Sequence, residues 1–217
     1  MDLSESYTTQ FKQQTLQRYK WAETRNAAAI MRATNPIEFD QLCEVLDSFA
    51  IDERRDVLAA GGNEGEGTKA LNYGFRSRGW HEGDYTQTHT NILKLIPASD
   101  TEPVTEPSVT TTSSPSYLID NLSGRVALDV EWHAKDGNLD RDFAAYRALY
   151  DAGIIDCAVL ITTHREDLRA WAQRLDPSTK KWMTSTTTNF TKALPRLQRG
   201  DTGGCPTLVV ALCALTV

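Results

Sequence analysis

Two short apolar runs joined by a glycine turn, Leu118-Ile119-Asp120 and Arg125-Val-Ala-Leu-Asp-Val-Glu-Trp132, constrain this chain more than any other feature of it. The second run is rich in β-branched and aromatic residues and Ser123-Gly124 supplies the turn, so the pair is predicted to fold as a β-hairpin. Successive residues of a strand point to opposite faces, which sets Asp129 and Glu131 on one face and Val130 on the other. Folding the first run against the second brings Asp120 opposite that pair. Three carboxylates so close repel one another unless a cation sits among them, and hard oxygen donors with room left for water suit Mg²⁺. The plainer reading is an antiparallel hairpin with acids on its wet face. Leu128, Val130 and Trp132 on one side and Ala127 on the other argue instead for a buried strand, where acids need partners.

The residues that follow extend the pattern. Trp132 to Asn138 leaves the strand on a turn, and Asp140 to Ala152 is predicted to be a helix with Phe143, Tyr146, Arg147 and Tyr150 at helical spacing and Gly153 as its C-cap. Ile154 to Thr163 is a continuous apolar run of the kind found in a buried parallel strand. Strand, strand, helix, strand in that order gives a βαβ crossover on a mixed sheet.

The pattern I-D-x4-R-V-A-L-D-V-E-W, within Tyr117 to Asp142, resembles the active-site segment of PD-(D/E)XK nucleases. It is most similar to the BglII/BamHI branch of type II restriction endonucleases. Most members of the superfamily carry Lys two residues after the second acid; here that place is held by Glu131, and the BglII/BamHI branch likewise replaces the Lys with Gln or Glu. The family's final strand, after a Gly-rich loop and a Pro, has its likeness in Gly203-Gly-Cys-Pro-Thr-Leu-Val-Val. The resemblance implies an α/β, restriction-endonuclease-like fold with a central mixed sheet flanked by helices. It implies that Asp120 and Asp129, helped by the Val130 carbonyl, hold Mg²⁺, and that Glu131 orients or deprotonates the attacking water. It further implies double-stranded DNA as substrate and a homodimer whose two-fold axis matches a short palindromic site, with GATC-centred sequences as candidates. An additional Glu on a helix before the first Asp assists the metal in the BamHI-like branch; Glu64 and Glu66 are the candidates for a counterpart here, and no motif selects either. The competing readings are a structure-selective repair or junction-resolving nuclease on the same core, and a DNA-binding module whose acids serve only folding.

With 217 residues, 40% of them hydrophobic, the chain can bury one full core, and a single domain is expected. Within it, residues 1–96 are expected to be mainly helical, 97–116 a flexible insertion, and 117–217 the catalytic core with its recognition loops. Residues 1–33 read as helix from the strong helix formers between Ala22 and Ala29, and Pro36 opens a second helix with Phe39, Leu42, Val45, Leu46 and Phe49 on one stripe. Pro97 to Ser116 has four prolines and no aromatic residue, too little apolar surface to offset the entropy of ordering. No apolar run reaches the ~18 residues of a membrane span, and the first ten residues lack the pattern of a signal peptide, so a cytoplasmic protein is expected. The cysteines Cys43, Cys157, Cys205 and Cys213 have neither zinc-site nor disulfide-framework spacing. The loop GGNEGEG at 61–67 lacks the Lys-Ser/Thr of a P-loop and carries two acids, which argues against a nucleotide cofactor.

A net charge of −6 sits uneasily with a phosphate-rich partner, but its distribution is uneven. Residues 164–200 carry eight basic side chains against three acidic ones. That segment also contains Met183 to Thr191, a dense row of hydroxyl and amide groups able to read base edges. Lys135, Asn138, Ser185, Thr186 and Asn189 are therefore the expected DNA contacts. His133, at the end of the acid-bearing strand, is a candidate to touch DNA or water and otherwise a polar strand terminus.

Overall fold

The computed structural model describes residues 1–58, 65–99, 101, 103–132, 134–180 and 187–216. The first part of the chain runs β1 (Leu3–Ser4), α1 (Tyr7–Gln10), α2 (Gln13–Arg18), β2 (Tyr19–Thr24), α3 (Ala27–Thr34) and α4 (Pro36–Ser48), then a π-helical turn at Glu53–Leu58 and α5 (Glu66–Arg76). Four strands follow: β3 (His81–Tyr85), β4 (Thr88–Leu93), β5 (Ser108–Ser113) and β6 (Tyr117–Ser123). The last part is β7 (Val126–Val130), α6 (Gly137–Asp151), β8 (Cys157–Thr163), α7 (Arg165–Leu175), α8 (Phe190–Arg199) and β9 (Thr207–Leu212).

Seven strands make one mixed sheet in the order β1-β2-β9-β8-β7-β6-β3. β6 and β7 form the expected antiparallel hairpin, with Asn121 opposite Leu128 and Ser123 opposite Val126. The glycine between them, Gly124, has φ +52°, a left-handed conformation that glycine takes without steric cost. β7 and β8 are parallel, and α6 makes the crossover between them, as the apolar pattern requires. β9 lies parallel to β8 and is not an outer strand, because β2 pairs with its other side from Tyr19↔Leu212 to Thr24↔Thr207.

That pairing corrects the expectation of helix over residues 1–33. Ala22 and Glu23 favour a helix locally, but β2 can satisfy a whole edge of β9, and tertiary pairing outweighs propensity. Glu23 is fully buried as a result, and it accepts from the Ser6 hydroxyl at 3.0 Å and the Ala28 amide at 2.9 Å. The surface insertion 97–116, expected to be extended or disordered, contains a strand. Ser108–Ser113 pairs with Thr88–Leu93 along six residue pairs as a separate two-stranded ribbon, which every residue of both strands leaves exposed. Threonine is β-branched, and three of the six residues of β5 are threonine.

The two faces of the sheet bury different layers. Val126, Leu128 and Val130 join Val159, Ile161 and Val210 under the helical layer, where Phe39, Leu42, Leu46, Leu71 and Phe75 are fully buried. Ala127 faces the other way, with Leu160 and Val209 under Leu139, Phe143 and Tyr146 of α6 and Ala193 and Leu197 of α8. Each large apolar side chain removed from water contributes ~1.5–3 kcal/mol, so both layers hold the sheet in place. Asp129 and Glu131 share the α6 side with Ala127 by the alternation of the strand.

Candidate active site

The acid-bearing end of the hairpin is held by side chains as well as by the strand ladder. The Asp120 amide donates to Asp129 Oδ1 at 2.8 Å, and the Val130 amide donates to Asp120 Oδ2 at 3.0 Å. Each carboxylate is thus tied to the backbone of the other strand. Glu131 continues the same face: its amide donates to the Ile161 carbonyl at 2.8 Å, and its carbonyl accepts from the Thr162 and Thr188 hydroxyls at 2.9 and 3.1 Å. Trp132 then anchors the strand end beneath α5. A Cβ added to Gly67 would stand 2.5 Å from the Trp132 ring, so that helix position has room only for glycine.

Helix α6 adds a fourth acid, one not among the candidates named from the sequence. Asp142 is 2% exposed, beside Asp129 at 3% and Glu131 at 5%. Burial pushes the Asp129 carboxyl well above the usual range, and the charges of Asp142 and Asp120 push it further. Burial likewise raises Asp120, against the pull of the Val130 amide. Glu131 is raised to about 7 by burial, opposed by its hydrogen bond with Asp142 and assisted by the charges of Asp129 and Asp120. Asp142 is raised by burial and by the charge of Glu131, with Arg141 pulling the other way. Such a cluster is unfavourable when every member is ionised.

Two atoms show where the strain is concentrated. Asp129 Oδ2 and Asp142 Oδ2 are buried with no hydrogen-bond partner; the Tyr146 hydroxyl lies beside Asp129, but its proton goes to the Val159 carbonyl at 3.1 Å. The neighbouring Glu131 carboxylate can bond Asp142 only through a shared proton. A buried anionic oxygen without a donor costs more than the mean hydrogen bond returns. A hard cation beside Asp120 and Asp129 would relieve this, and all-oxygen donors fit Mg²⁺. Among the described residues no three acidic, histidine or cysteine side chains already stand in coordination geometry. One oxygen each of Asp120 and Asp129 is on a backbone amide, which leaves the other oxygens for an ion.

The remaining candidates divide. Lys135 is exposed, and its backbone bridges to Thr187 while the Thr188 amide donates to the Ala134 carbonyl at 2.8 Å, so Thr187 and Thr188 are fastened to the chain that follows β7. Asn138 is half-buried and turns its amide toward both oxygens of Glu131, at 3.4 and 3.5 Å. Asn189 is 2% exposed and caps α8, its Oδ1 accepting from the Lys192 amide at 3.1 Å and its Nδ2 donating to the Thr187 carbonyl at 3.2 Å. Both ends of that side chain are engaged inside the protein. Ser185, Thr186, Glu64 and His133 lie outside the described residues. Glu66 is exposed at the start of α5 and paired with Lys69 at 2.8 Å; α5 reaches the hairpin through Asn72 instead, whose Oδ1 accepts from Asn121 at 2.8 Å. The basic segment 164–200 is partly neutralised by acids around it: Arg196 pairs with Asp140 at 2.7 Å, Lys192 with Asp136 at 3.4 Å and Arg199 with Asp201 at 2.5 Å.

Asp142 had a signal in the sequence. It sits between Leu139 and Tyr146 on the apolar stripe of α6, and an acid on a buried stripe calls for an explanation. Arg141, beside it, and the buried threonines 162 and 188 carried none.

A mixed sheet with a βαβ crossover next to an acid-bearing hairpin, flanked by helices on both faces, defines a restriction-endonuclease-like fold. The model of the restriction endonuclease BglII/BglIII family matches residues 19–212, from the first residue of β2 to the last of β9. The chain belongs to that family and is a type II restriction endonuclease, a site-specific nuclease of DNA. No curated protein matches it. Restriction endonucleases of this kind generally use a divalent metal. Among the described residues no helix is long and apolar enough to cross a membrane.

Proposed function

We propose that the protein is a Mg²⁺-dependent endonuclease of the PD-(D/E)XK type, acting in the cytoplasm as a single-domain subunit of a homodimer that cuts both strands of a short palindromic site, with GATC-containing sequences as the candidates to try. The observation that carries this reading is the reciprocal tie of Asp120 and Asp129 across the hairpin, with Asp129 Oδ2 left without a partner and Glu131 two residues on. Asp120, Asp129 and the Val130 carbonyl would hold the ion. When bound, it supplies Lewis acidity to the scissile phosphate and to the attacking water.

The chain's own residues do the rest. Glu131 orients the water and takes its proton at a carboxylate oxygen, a role that needs the group ionised when water is bound. A cation held by Asp120 and Asp129 would keep it ionised, against the burial and the neighbouring carboxylate charges that raise it in the metal-free protein. The apolar layers at the hairpin exclude bulk water from behind the acids, which strengthens every charge interaction at the site. Lys135, exposed beside the catalytic strand, is placed to meet a phosphate, and Ser185 and Thr186 remain candidates for base contact. Asn138 is better read as a partner of Glu131 than as a contact to DNA, and Asn189 as a helix cap.

The test is cleavage of supercoiled plasmid in Mg²⁺ by the wild type and by Asp120→Ala. Discrete fragments from the wild type and none from the variant support the reading; equal cutting by both removes it. Mapping the ends of the fragments then gives the site and the cut position.

A further inference from the structure

The backbone of Glu131 is fixed by three hydrogen bonds, to Ile161, Thr162 and Thr188, but its side chain retains three rotatable bonds. A general base must lie within hydrogen-bond reach of one proton, so something must select its rotamer. Three residues of α6 surround that carboxylate. Asn138 Nδ2 lies 3.4 and 3.5 Å from its two oxygens, and one turn further along the helix Arg141 Nη2 lies 3.8 Å from Oε1. Arg141 is itself anchored: its Nε and Nη2 both fall on Asp142 Oδ1, at 3.1 and 3.0 Å.

Asp142 makes this arrangement hard to read as packing alone. It occupies the apolar stripe of α6, where an aliphatic side chain would be cheaper to bury, and one of its oxygens lacks a partner. An acid kept in such a place against its own solvation has a neighbour to serve. Its neighbours in the geometry are the Arg141 guanidinium and the carboxyl of Glu131 itself, to which Arg141 also reaches.

We propose that the Arg141–Asp142 pair is a positioning device for the nuclease reaction: Asp142 holds the guanidinium, and the guanidinium together with the Asn138 amide sets the rotamer of Glu131. The inference rests on the reading of Glu131 as the group that takes the proton from water. Arg141 is a positioning residue, acting through Glu131, and its half-exposed side chain offers one rival role, a direct contact with a DNA phosphate.

The full-length variants Arg141→Met, Arg141→Lys, Asp142→Asn and the double variant Arg141→Met/Asp142→Asn separate these roles. Single-turnover cleavage is measured in Mg²⁺, and DNA affinity in Ca²⁺. Loss of an orienting partner lowers activity ~10–100-fold. That loss is expected for Arg141→Met and for Asp142→Asn, with DNA affinity unchanged, partial recovery in Arg141→Lys, and a double variant no worse than the poorer single. An unchanged cleavage rate, multiplying effects of the two changes, or a loss confined to DNA affinity overturns the proposal. A melting-temperature cycle of Arg141→Met with Glu131→Gln, free of DNA and metal, reads the contact without activity. Non-additive shifts are expected, and additive ones overturn the contact. A wild type that keeps the coupling but cuts no DNA overturns the role of Glu131 and its positioning together, and shows that the failure lies in the chemistry.

Discussion

The two faces of β7 differ as sharply as any two regions of the molecule. Toward the helical layer it presents Val126, Leu128 and Val130, apolar side chains buried among apolar side chains. Toward α6 it presents Ala127 and then Asp129, with Glu131 just beyond the strand, and these acids are buried as deeply as the valines. The first face stabilises the fold and has no chemistry to offer. The second opposes the fold when its acids are ionised, and it is the face to which the proposed chemistry belongs. One strand serves both because alternation lets a single backbone belong to a core and to a site.

That contrast is sharpened most by mutating one face at a time. Removing a general base lowers a rate ~10²–10⁴-fold, so Glu131→Gln should lose that much cleavage while melting no lower than the wild type. Leu128→Ala should do the reverse. Truncating a fully buried leucine costs ~2–5 kcal/mol, and the variant should melt well below the wild type, its lost activity tracking its unfolded fraction. Should Glu131→Gln prove as unstable as Leu128→Ala, the division between the faces is broken.

The pH dependence of the metal-free protein carries the same contrast at smaller scale. Glu131 in the folded state holds its proton up to about 7, whereas an unfolded glutamate releases it near 4.5. Between those values the folded form binds more protons, so stability falls as pH rises through that window, by at most ~3 kcal/mol from this group. Chemical denaturation at pH 5 and pH 8 should show the loss, and Glu131→Gln should reduce it. The smallest effect belongs to the β4–β5 ribbon, whose residues are exposed on both strands. Ile92→Thr there should change stability by no more than ~0.5 kcal/mol, measured by the same denaturation.

The hairpin, α6 and β8 could be read from sequence because local preference and burial agree in them: β-branched residues on β7, helical spacing in α6, an unbroken apolar run in β8. Where the two disagree the reading failed. β2 is built of residues that suit a helix and becomes a strand only because β9 offers it an edge. α8 gave no helical pattern because Pro195 lies inside it, and without that helix Asn189 could not be recognised as its cap. The polar threonine run of β5 left extended and disordered chain undecided, and pairing with β4 decides it. Within the site, Asp120, Asp129 and Glu131 follow from strand alternation alone. Asp142 depends on which face α6 turns to the sheet, and Arg141 on a contact between neighbours that no spacing encodes.

The claim beneath the rest is that the acidic face of the hairpin is arranged for a divalent ion. Thermal unfolding at pH 8, with and without Mg²⁺, tests it without DNA or turnover. The wild type should gain melting temperature when the ion is added, because binding to the folded form alone stabilises it, and Asp129→Asn should gain little. No gain in the wild type, or an equal gain in both proteins, would contradict the assignment of Asp129 to the metal.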